Sequence, residues 1–65
     1  MDLEQVVYDE LTTNYYDCMD DMRISADGDT TILAIELEDF IKETIPHLAE
    51  SGEMDWITIA DRLMT

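Results

Sequence analysis

Carboxylates are the one kind of reactive side chain this sequence holds in quantity. Seventeen Asp and Glu stand against three Lys and Arg in 65 residues, a formal net charge of −14. Paired carboxylates can serve as general acid and base, but so many are present that no pair is singled out. The Asp27-Gly28-Asp29 turn invites comparison with a calcium loop, which needs acids at its first, third and fifth positions, Gly at the sixth and Glu at the twelfth. Setting Gly28 sixth puts Arg23 first and Ala34 twelfth, and both positions fail. His47 is the sole histidine and follows Pro46 with no nucleophile beside it, so a solvated or capping role suits it better than catalysis. Cys18 is the sole cysteine. It cannot form a disulfide within the chain, fits a reducing compartment, and reads as a small buried apolar side chain. There is no Cys/His set for zinc, no Gly-rich phosphate loop and no basic patch with interleaved aromatics. An enzyme also wants a concave pocket of about 300 Å³ or more, for which a bundle of this size is expected to lack room. The expectation is a protein that is not an enzyme, holds no metal or cofactor, and does not bind nucleic acid directly.

The elements that position these acids follow from apolar spacing. Leu3, Val7, Leu11, Tyr15, Cys18 and Met22 recur every three or four residues, which predicts one amphipathic helix from Asp2 to about Arg23. Its far side collects Asp2, Asp9, Glu10, Asp17, Asp20 and Asp21. On this reading Asp20 and Asp21 lie in the last turn, against the negative end of the helix dipole. Ser25 to Asp29 is a turn, and Asp29 or Thr30 can cap the next helix. Leu33, Leu37, Phe40, Ile41, Ile45 and Leu48 then share a second helical face, with Glu36, Asp39, Glu43 and Glu50 opposite. Residues 30–35 are rich in β-branched side chains and could form a strand, but no partner strand is evident, so a helix is preferred. A break is expected near Thr44–Pro46, with Pro46 opening a short turn that closes at Gly52. Asp55 is a natural N-cap for a last helix reaching about Met64, in which Trp56, Ile59, Ala60, Leu63 and Met64 share a face and Trp56 anchors the core. The fold expected is all-α, a single acidic helical domain over 1–65, built as a small bundle of three helices, or four if Pro46 divides the second.

The charge exceeds what folding can use, because mutual repulsion opposes the compact state. Packed antiparallel, the two long helices would carry their acids on one convex surface. The residues expected to form that partner-binding face are Asp9, Glu10, Asp17, Asp20, Asp21, Asp27, Asp29, Glu36, Asp39 and Glu43. Duplex DNA carries one charge per about 1.7 Å, and this chain has a comparable charge density. Such a face could occupy an Arg/Lys cleft that grips phosphates, its carboxylates taking the charge-assisted hydrogen bonds of the phosphate oxygens. The bland alternative is a solvated acidic surface. A third reading is an acidic adaptor or subunit that binds a partner protein through apolar surface, with Val6, Tyr16 and Ile35 off the main stripes.

In size, acidity and helical layout the whole chain resembles the small phage-encoded inhibitors that act as DNA mimics, the anti-restriction and anti-CRISPR proteins. No motif defines these groups, so no residue role carries over. The resemblance implies an inhibitor that blocks the basic DNA-binding cleft of a defence protein. In its anti-CRISPR form the target is a Cas effector complex, at the channel that reads the protospacer-adjacent motif. The stretch from Glu36 to Pro46 also looks like the helix after the attachment site of an acyl carrier protein. The carrier's Asp-Ser-Leu is replaced by Asp29-Thr30-Thr31, which lacks the serine. No run reaches the roughly 18 apolar residues of a membrane span, and Met1-Asp2-Leu3-Glu4 has acids where a secretory signal has Lys or Arg. The expected location is the cytoplasm, that of the bacterial host if the chain is phage-encoded. The expected partner is a basic DNA-binding protein (a Cas effector subunit or a restriction or repair enzyme), with no membrane association and a monomer favoured over an oligomer.

Overall fold

Among the described residues, hydrophobic periodicity and capping residues generate four α-helices: α1 (Leu3–Thr13), α2 (Tyr16–Ala26), α3 (Thr30–Thr44) and α4 (Trp56–Met64). They come from a computed structural model that describes residues 2–50 and 54–65. Among the described residues there is no strand, and the fold is all-α as expected. Residues 30–35, the ambiguous stretch, open α3 as helix.

Carboxylates start three of the helices. Asp2 accepts from Glu4 N at 3.1 Å, Asp29 from Thr31 N at 2.9 Å and Ile32 N at 3.3 Å, and Asp55 from Thr58 N at 3.1 Å. Each satisfies amide donors that the first helical turn leaves without partners. Between α2 and α3 the chain reverses at Asp27 and Gly28, with φ of 53° and 82°. Glycine adopts this left-handed region freely, and Asp is among the few other residues found there. At the far end of α3, Pro46 forces the expected break. Ile45 leaves helical geometry, and Pro46–Leu48 forms one 3₁₀ turn, with Ala49 N bonding Pro46 O at 3.0 Å. Its expected closure at Gly52 lies outside the described residues.

The largest departure from the sequence reading is that residues 2–23 are not one helix. The chain turns at Asn14 and Tyr15, so α1 and α2 are separate elements. Thr12, Thr13, Asn14, Tyr15 and Tyr16 form an unbroken run of residues with modest helix propensity. Thr12 Oγ1 competes for the backbone, donating to Tyr8 O at 2.9 Å, and the Asn14 side chain is held at the turn by donating its Nδ2 to the Glu10 carboxylate at 2.8 Å. A straight helix over that span would be about 33 Å long at 1.5 Å per residue, whereas the longest dimension of the molecule is 28 Å. Turning the chain back lets both halves bury a face.

The helices close into a ring: α1 packs on α2 and α4, and α3 packs on α2 and α4. Inside lie Val7, Leu11, Leu33, Leu37, Ile41 and Ile59, all fully buried, with Met19, Ala26, Ala60 and Leu63 around them. The turn at Asn14 also rotates the register of α2. Met19 and Ala26 become its buried residues, while Cys18, expected inside, is exposed. Trp56 is not the core anchor either. As the first residue of α4 it sits half-buried at the edge of the bundle.

Candidate functional site

No charged or polar residue is buried among the described residues, so the acids lie at or near the surface. They are not alike there, because several are engaged within the chain. On α1, Asp9 accepts from Gln5 Nε2 at 2.8 Å, and Glu10 holds Asn14 at the turn. On α2, Asp20 pairs with Arg23 at 2.6 Å. Asp29 is the cap of α3. Glu36 accepts from Ser25 Oγ at 3.3 Å, tying α3 to α2, while its other oxygen, Oε2, is buried without a partner. Asp17, Asp21, Asp27, Asp39 and Glu43 are exposed and make no side-chain hydrogen bond or ion pair with any described residue.

All three cations are engaged as well. Besides Arg23 on Asp20, Lys42 holds Glu38 at 2.7 Å, and Arg62 reaches Gln5 Oε1 at 3.1 Å with Asp2 at 4.0 Å. The hydrogen bond from Lys42 to Glu38, together with that carboxylate's charge, raises the Lys42 pKa above its ordinary value. Asp55 moves the other way: its hydrogen bonds from Thr58 hold its carboxyl below the ordinary 3.8.

Two positional expectations change. With α2 running from Tyr16 to Ala26, Asp20 and Asp21 lie within the helix rather than in its last turn, and Asp17 occupies the first turn, where the dipole favours an acid. The two-helix convex face is also replaced. Of the ten expected acids, the five without a partner stand on α2, on the turn after it and on α3, while Asp9 and Glu10 belong to a third helix, α1. The acids expected on two long helices are therefore carried by three, and by the turn between α2 and α3.

Ile35, read from the sequence as apolar and off the main stripes, proves exposed, but the groove it lines was not foreseen. The N-terminal half of α3 and the start of α4 flank an open groove of about 310 Å³, lined by Ile35, Met54, Trp56 and Ile57, with the carboxylates Glu38 and Asp55. It opens at the surface between two helices and leaves the buried core intact. Ile35 is 57% and Ile57 48% exposed, and Ile32, one turn before Ile35, is 45% exposed. Ile32 and Ile35 were legible as a pair three apart, opposite the core stripe. Their meeting with Ile57 depends on how α4 docks. The other acid-rich feature of the sequence, Asp27-Gly28-Asp29, is accounted for by the reversal and cap described above. Among the described residues no three His, Cys, Asp or Glu side chains converge as a metal-binding group, and no helix is long and apolar enough to cross a membrane.

Compared with known proteins, the chain matches no family model, no curated sequence and no solved structure.

Proposed function

We propose that this chain is a DNA-mimicking inhibitor of a basic DNA-binding protein in the bacterial cytoplasm. In its specific form it is an anti-CRISPR protein that fills the DNA-binding, motif-reading cleft of a Cas effector complex. The observation that carries this reading is that five carboxylates of the expected face, Asp17, Asp21, Asp27, Asp39 and Glu43, are exposed with no described partner of their own, in a chain of net charge −14. The longest dimension is 28 Å, a length over which duplex DNA carries about 16 phosphates. An Arg/Lys cleft built for phosphates would meet a similar charge over a similar length, and the free carboxylates could accept its hydrogen bonds without first breaking internal ones.

Competition tests this directly. Purified Cas effector complexes and restriction enzymes, each bound to labelled target DNA, would be titrated with the protein at two salt concentrations. At least one should release its DNA, with potency falling steeply as salt rises. The D17N/D21N/D39N/E43Q variant should keep its helical circular dichroism and lose this competition. Failure to displace DNA across the panel, or full potency in that variant, would sink the proposal. A second reading, an acidic adaptor that grips a partner protein through apolar surface, is favoured by the exposed isoleucines at the α3–α4 groove.

A further inference from the structure

Isolated exposed isoleucines are ordinary on a protein surface, but convergent ones mark contact sites. Ile35 and Ile57 face the same groove from different helices, with Met54 and Trp56 completing its apolar lining. Ile32 extends the exposed apolar strip along α3 by one turn. The groove volume of about 310 Å³ is at the low end of the range of about 300–1,000 Å³ for small-molecule pockets, a scale suited to a few large side chains. Glu38, which also holds Lys42, and Asp55, the cap of α4, border the same space, and the chain as a whole carries −14.

That charge decides between occupants. A second copy of this chain would bring another −14 against the first, and like charge across an interface opposes association. A cationic segment is drawn in. Helices that lie in apolar grooves do so through side chains at i, i+3 or i+4, and i+7. We propose that the α3–α4 groove is a docking site for a basic amphipathic helix of a partner protein, whose apolar side chains fill the groove while its Lys and Arg face the surrounding carboxylates. This rests on the adaptor reading, giving it a site and a partner chemistry. It is independent of the mimic reading, which uses free acids on α2, its C-terminal turn and the outer side of α3.

The probe is a labelled synthetic Leu/Lys helix with Leu at i, i+4 and i+7, compared with a control in which every Leu is Ser. Fluorescence anisotropy should show the Leu peptide binding at least tenfold more tightly than the Ser control. Trp56 is the sole tryptophan, so its emission should shift to the blue as the peptide excludes water from the groove. Ile35→Glu and Ile57→Glu give opposite signs for the two explanations. Each adds a negative charge, so purely electrostatic binding would stay equal or tighten, whereas apolar docking should weaken at least tenfold. Helical circular dichroism confirms the fold of each variant. If a Glu variant unfolds, Ile35→Ser and Ile57→Ser are read in its place. The D17N/D21N/D39N/E43Q variant should retain the preference for the Leu peptide, so loss of DNA competition leaves this proposal standing. Equal binding of the two peptides, undiminished binding in the isoleucine variants, or a concentration-dependent dimer that Ile35→Glu abolishes would overturn it.

Discussion

Asp55 shows how one carboxylate can be structural in a chain where most look interchangeable. Its pKa is lowered because Thr58 donates to the ionised form. A group whose folded pKa lies below its unfolded one contributes stability that is fully present above the unfolded value and is lost as pH falls through the folded one. The contribution of Asp55 should therefore be complete above 3.8 and fade below it. Asp55→Asn can still cap a helix but cannot titrate. The gap in melting temperature between wild type and D55N should shrink as the pH is lowered through that region. A gap that does not change with pH would contradict the assignment. Cys18 teaches the converse lesson. Its type fits a buried position, yet it is exposed, because burial depends on the register of the helix that carries it.

That register is set at the element scale by the turn at Asn14 and Tyr15. Tyr15 stacks edge-on against Phe40 of α3, with ring centroids 5.6 Å apart, fastening the corner to the longest helix. Such aromatic pairs contribute about 0.5–1.5 kcal/mol beyond their buried area. A double-mutant cycle of Tyr15→Leu and Phe40→Leu, read by urea unfolding, should return a coupling energy in that range. Additive losses would mean that the rings merely fill space. The caps of α3 and α4, the Asp27-Gly28 reversal and the Pro46 break were legible because each depends on one or two residues whose backbone chemistry is local. The Asn14 turn was not, because the spacing Leu11, Tyr15, Cys18 continues a helical stripe straight across it. Weak propensity over five residues signalled the break, but the need to fold back around a shared core decided it, and that need is not local. The acids of the candidate site were legible as residues. Their engagement was not, because Asp20, Glu36 and Glu38 acquire partners only when helices form and pack.

At the scale of the whole molecule, uncompensated charge opposes a small core. The buried set is almost wholly aliphatic, and domains of this size hold only about 3–5 kcal/mol from one hydrophobic core. With each cation already paired in the chain, the remaining repulsion is left to solvent and dissolved ions. Adding salt shortens the Debye length from about 30 Å at 0.01 M to about 8 Å at 0.15 M. The melting temperature should rise over that interval. A gain of about 1 kcal/mol would register as about 4–8 °C for a domain of this class. A flat response would mean that the carboxylates are too dispersed to repel one another.

The clasp of Arg62 on Gln5 and Asp2 has a topological corollary. It fastens the last turn of α4 to the start of α1. Every other pairing in the ring joins elements consecutive along the backbone, so this seam is the one place where the circuit is held without a peptide link. A short tether from the end of α4 to the start of α1 would join the four helices into a covalent loop, and the opening could then be moved to the surface reversal at Asp27-Gly28. Circular permutation at that point would preserve every helix and exchange only which neighbours are covalently joined.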